Sequence, residues 1–209
     1  MKRLISIIIL LFFISDLFGQ IDFKGDSSTN NKTISTLYYL IDSTFKLDKT
    51  FDFEFRLCTT PSLVSYSNVF ILTETNGIWK ARFFEYYGNH KIKISEIKVD
   101  QTELKGLWTK LYANQVLTLP TQDSIKNRMK TFVADTAYSF EEGDTYENIL
   151  ITDGTVYHFD LFTQHKMRAY EYHCPKGYLK HYPNMEELYR AFNIILLIRK
   201  YLGLNLEIC

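Results

Sequence analysis

Several functional classes lack their signatures in this chain of 209 residues. Basic and acidic residues balance at 24 each, so there is no positive field to hold a nucleic acid and no polybasic segment for a membrane surface. No G-x-S-x-G elbow, Walker loop or G-x-G-x-x-G turn occurs, and Ser62, Ser65 and Ser67 lie in TTPSLVSYSN without a nucleophile motif. Serine-hydrolase and nucleotide chemistry are therefore left without their local geometry. Cysteines number three, enough for one bridge in an oxidising compartment and at no recognised zinc spacing.

The opening MKRLISIIILLFFISDLFGQ has Lys2 and Arg3, then an apolar run from Leu4 to Ile14, then a polar exit through Asp16 to Gly19. A basic start, an apolar centre and a small residue before a cut make a secretory signal peptide over residues 1–19, cleaved after Gly19. Asp16 interrupts the run before the ~20 apolar residues that a span needs. The expected product is exported, periplasmic or extracellular, and not inserted in a membrane. Cleavage takes Lys2, Arg3 and Asp16 and leaves the net charge at about −1.

Residues 20–33 read as a flexible, polar leader, and 34–209 as one domain. Ile34, Leu37, Tyr38, Ile41 and Phe45 fall at helical spacing, with a strand as the alternative for so many β-branched and aromatic side chains. Phe51, Phe53, Phe55 and Leu57 alternate with Asp52, Glu54 and Arg56, the pattern of a strand with one wet face. Asn76-Gly77 separates two β-rich runs and predicts a hairpin, as does Asp153-Gly154 between ENILIT and TVYHFDLF. Gly88-Asn89 predicts a turn into KIKISEIKV. Leu104, Leu107, Trp108, Leu111 and Tyr112 make a helical stripe with Thr102 as N-cap, and a short helix is expected near Ser124 to Met129. Asn184 and Glu187 suggest a capping box for a last amphipathic helix ending at Gly203. The whole predicts an α+β fold: an antiparallel sheet built from hairpins, with a middle and a C-terminal helix packed on one face.

Candidate sites are few. His158 and Asp160 are two apart on a strand, so a His/carboxylate pair for a hydrolase is geometrically possible; the competing reading places both on a solvated face. His173, Cys174 and His181 fall short of a zinc spacing, and no metal or cofactor is expected. Glu141, Glu142, Asp144 and Glu147 read as a solvated acidic turn. Cys58 and Cys174 each close an aromatic-Glu-aromatic-basic stretch and are expected to form a disulfide, the alternative being two buried thiols, with Cys209 left over. Tyr178 and Tyr182, in a loop bracketed by Pro175 and Pro183, are the candidates for contact with a protein or glycan partner.

The FGQ at the end of the signal, the DGTVYHF and RAYEYHCP stretches and the closing amphipathic helix resemble small uncharacterised exported proteins of Bacteroidota-type bacteria. The resemblance spans the last third and the signal. It implies export and no particular activity.

Overall fold

The computed structural model describes residues 21, 23, 32–45, 50–62, 66–88, 91–132, 146–204, 206 and 208–209. The signal, most of the leader, Asn89 and the acidic residues Glu141, Glu142 and Asp144 lie outside the described residues. Within the leader, Phe23 is buried in the main core and Ile21 packs beside it.

Helix α1 (Lys32–Phe45) precedes strands β1 (Phe53–Pro61), β2 (Tyr66–Thr75), β3 (Ile78–Tyr87) and β4 (Lys91–Glu96). Helix α2 (Gln101–Ala113), a short α3 (Gln122–Ile125) and a 3-10 turn follow, then a separate ribbon of β5 (Lys130–Phe132) and β6 (Tyr146–Asn148). Strands β7 (Thr155–Thr163) and β8 (Met167–His173) complete the main sheet before α4 (Pro175–Leu179) and α5 (Glu186–Leu202). The main sheet is six-stranded and antiparallel throughout, in the order β4-β3-β2-β1-β7-β8. The fold is α+β, as the alternation and hairpin spacing predict.

Phe53, Phe55 and Leu57 of β1, Phe70 and Leu72 of β2, and Tyr157, Phe159 and Leu161 of β7 form one face of the sheet. Leu104, Leu107 and Leu111 of α2 and Leu188, Ile194, Ile195 and Ile198 of α5 close over it. Trp108 of α2 stacks on Trp79 at 5.3 Å and meets Phe53 at 4.8 Å, which fixes α2 at the sheet's end. The opposite face is not wet, because α1 lays Leu37, Tyr38 and Ile41 across Cys58, Val69, Ile71 and Phe84. Among the described residues no helix is long and apolar enough to cross a membrane.

Turn chemistry was decisive in some places and misleading in others. Asn76 and Gly77 adopt φ 51° and 77°, the left-handed pair that a tight hairpin requires. Asp153-Gly154 forms no hairpin: β6 pairs with β5, and β7 folds back on β8 through Gln164 to Lys166. Gly154 is needed for space, since a Cβ there would collide with the Cys174 sulfur and the His173 ring. The N-cap of α2 is Asp100, whose Oδ1 accepts from the Glu103 N–H at 2.8 Å, and not Thr102. Met185 occupies the N-cap of α5 without a side-chain bond, so Asn184 builds no capping box. Gly203 closes that helix at φ 62°.

The expected Cys58 to Cys174 bridge is overturned. Cys174 is joined to Cys209, and Cys58 is a buried free thiol. The register explains why: Cys58 faces His158 of β7, so β8 lies two strands away, roughly 10 Å, beyond the reach of a disulfide. Cys58 also points toward α1, whereas Cys174 belongs to the opposite core.

The bridge closes a separation of 35 residues containing α4 and α5. Its loss in Cys209→Ser should lower unfolding stability by about 3–4 kcal/mol in urea titrations. Peptide mapping should recover Cys174 linked to Cys209, with Cys58 alkylated only after denaturation.

Candidate functional site

Beneath α1 the sheet carries a row of polar side chains. Alternation along β1 places Glu54, Arg56 and Cys58 on one face, and the β1/β7 register sets Arg56 opposite Asp160 and Cys58 opposite His158. His158 and Asp160 therefore share a face, as their spacing predicts. That face is covered: each is only 6% exposed. The expectation of a solvated face fails because α1 lies over it.

The two residues do not pair. Asp160 Oδ2 accepts from the Tyr38 hydroxyl at 2.5 Å. His158 Nδ1 lies 3.1 Å from Glu171 Oε2 across the β7/β8 ladder, and its Nε2 lies 3.3 Å from Thr60 Oγ1. Arg56 Nε donates to Glu54 Oε1 at 2.7 Å and its Nη2 lies 3.1 Å from Asp42 Oδ1 on α1. The Arg56 guanidinium also stands over the Tyr38 ring at 4.8 Å.

Burial sets the protonation energetics. It raises the Asp160 carboxyl above the usual range, against the Tyr38 hydrogen bond that pulls it down. It raises Glu54 likewise, in spite of Arg56 beside it. Burial alone would lower Arg56, but Glu54 and Asp42 outweigh it and hold the guanidinium charged. The hydrogen bond from His158 holds Glu171 below its ordinary value. Burial, with the nearby Asp160 charge adding to it, pushes the Cys58 thiol far up, so Cys58 is no thiolate nucleophile.

Thr60, His158 and Glu171 stand in the order hydroxyl, imidazole, carboxylate, which is the order of a general-base relay. Chemistry would also need substrate access and donors aimed at a developing oxyanion. Here Thr60 Oγ1 also lies 3.4 Å from the Val156 carbonyl oxygen, and His158 is covered. An open depression of about 450 Å3, lined by Leu196, Arg199, Lys200, Gly203, Leu204 and Ile208, lies on the α5 side, away from this cluster. Among the described residues no three His, Cys, Asp or Glu side chains converge as a metal-holding group, and the disulfide occupies Cys174.

The tyrosine candidates are also relocated. Tyr178 is on α4 and 6% exposed, packed in the main core, with its hydroxyl 3.4 Å from the Ile151 N–H that donates to it. Tyr182 is half-buried and stacks on Tyr178 at 6.4 Å. Their segment is a packed turn between α4 and α5, closed by the disulfide, and so offers no exposed aromatic loop. No protein-family model, no curated protein and no solved structure matches the chain.

Replacing Arg56 by Met should destabilise the fold by about 3–5 kcal/mol, because Glu54 and Asp42 would be left without their buried cation. Glu54 and Asp160 bind protons more readily folded than unfolded, so stability should rise as pH falls from neutral toward the ordinary carboxylate range. Below the ordinary carboxylate range the held-down Glu171 titrates and the trend should reverse. Thermal midpoints across pH, with Glu54→Gln flattening the rise, check the sign.

Proposed function

We propose that this is an exported, non-catalytic binding module of the cell envelope. The observation that supports it is the mutual engagement of the polar groups under α1. Tyr38 with Asp160 and Asp42 with Arg56 tie the helix to the sheet, while Glu54 with Arg56, and Thr60 and Glu171 with His158, tie positions of the sheet to one another. Groups used in this way orient the fold, and Glu54, Arg56, His158 and Asp160 among them are buried. The Cys174 to Cys209 bridge accords with an oxidising compartment, and the leading Lys2 to Gly19 segment with passage into one.

Two measurements test the reading. Expressed whole in a bacterium, the protein should be recovered outside the cytoplasm with Gln20 as its first residue by intact mass. Cross-linking of the exported protein should then capture an envelope component, and His158→Ala should capture it equally well. An uncut protein retained in the cytoplasm would count against export.

The Thr60, His158 and Glu171 chain favours a second reading, a hydrolase in which Glu171 orients His158 and His158 takes the Thr60 proton. It replaces the His158/Asp160 pairing, since Asp160 is committed to Tyr38. Hydrolysis of ester or amide substrates by the wild-type protein, abolished in His158→Ala with folding retained, would establish this reading and displace the first.

A further inference from the structure

On the α2/α5 side of the sheet a second polar row crosses four strands. The register sets Thr59 opposite Asn68, Asn68 opposite Glu85, and Glu85 opposite Lys93, so all four share one face. One step further toward the strand ends, Tyr66 stands opposite Tyr87. Their rings lie 5.2 Å apart and are tilted by 51°, and Tyr87 is 39% exposed. Both hydroxyls turn to the same carboxylate: Tyr66 donates to Glu85 Oε1 at 3.2 Å, and Tyr87 approaches that oxygen at 3.5 Å. Lys93 Nζ holds the other oxygen at 3.1 Å.

Behind this surface pair the sheet carries unmet hydrogen-bonding capacity. Asn68 is 1% exposed and Thr59 fully buried, yet among the described residues Asn68 Oδ1 and Thr59 Oγ1 have no hydrogen-bond partner. The Asn68 side-chain amide also hydrogen-bonds the Tyr66 hydroxyl, which links this residue to the aromatic pair. A buried polar atom left without a partner costs about 1–3 kcal/mol. Such a cost calls for a ligand or an ordered water as its explanation.

We infer that Tyr66, Tyr87, Glu85 and Lys93, backed by Asn68, form a binding site for a neutral saccharide. The inference rests on the binding-module reading and names its ligand. Two fixed aromatic faces suit the apolar C–H face of a pyranose ring. Because each ring is already held by its hydroxyl, little conformational freedom is lost on contact. Around the rings stand both kinds of hydrogen-bonding group: remaining ammonium protons on Lys93, and acceptor sites on the phenol oxygens and Glu85. Sugar hydroxyls both donate and accept and so match a mixed set. The Glu85 and Lys93 charges cancel, which disfavours a charged ligand and favours a neutral one.

Titration of the intact protein with N-acetylglucosamine tetramer, cellotetraose and maltotetraose, followed by calorimetry and by amide NMR shifts, tests the site. At least one of the three should bind, with shifts centred on Tyr66, Glu85 and Tyr87. Tyr87→Ala and Tyr66→Ala should each weaken it by about tenfold or more, and Tyr87→Phe, which keeps the ring, by less. Tyr39→Ala, which removes an exposed ring on α1, should leave affinity unchanged. Silence toward all three probes at millimolar concentration, or affinity unaffected by both alanine variants, overturns the saccharide site. Capture of an envelope protein by the wild type and by Tyr66→Ala alike, with none of the three sugars bound, would overturn the saccharide site while leaving the module reading intact; a hydrolytic activity lost in His158→Ala would sink the module reading instead.

Discussion

Arg56 sits in the middle of a central strand, with a helix over it and sheet neighbours on both sides. A guanidinium in such a place is tolerated only if anions come with it, since removing one partner of a buried pair costs several kcal/mol. Glu54, two residues away on the same face, supplies one carboxylate and Asp42 on α1 the other. Docking α1 is thereby tied to charge satisfaction as well as to burying Leu37 and Ile41. Tyr38 adds a second tie through Asp160. Turning α1 by one residue would break both ties and expose its apolar stripe, so the polar row specifies the helix's register and the apolar row its attachment.

Much of the sheet follows from local chemistry. The Phe-x-Phe-x-Phe alternation of β1 identified a strand and named its inward side correctly, and Asn76-Gly77 placed a hairpin where two left-handed residues were required. The same alternation misread the other side. Acidic and basic residues every second position look solvated when read alone, and only the tertiary arrival of α1 turns that face into an interior. Glu171 as the partner of His158 was missed because it depends on the β7/β8 register, which the turn at Gln164 to Lys166 sets. Had that turn been taken as the hairpin in place of Asp153-Gly154, the pair would have followed by counting.

The disulfide shows a different limit. Similar flanking sequences drew Cys58 and Cys174 together, but flanking similarity carries no information about which face a residue occupies or how many strands intervene. What decides is that the chain after α5 returns to the start of α4, where the Lys176 N–H donates to the Cys209 carbonyl oxygen and the Cys209 N–H to the Tyr157 hydroxyl. Gly154 leaves room for that junction. A glycine that reads as a turn residue is thus, in three dimensions, a clearance. The tyrosines behave in a parallel way: Tyr170, Tyr172 and Tyr178 are packed or tied to backbone carbonyls and amides, while Tyr66 and Tyr87, which no local motif singles out, stand opposite each other on β2 and β3.

The chain has only two tryptophans, and both belong to the stacked pair of Trp79 and Trp108 at the seam between β3 and α2. Intrinsic fluorescence therefore has a single vantage point. It follows the docking of α2 on the sheet and is nearly blind to α1, which packs on the far side, where the aromatic rings among the described residues are tyrosine and phenylalanine. An unfolding curve read from that emission would date the opening of one layer, and far-ultraviolet dichroism would be needed to learn whether the other layer had already left.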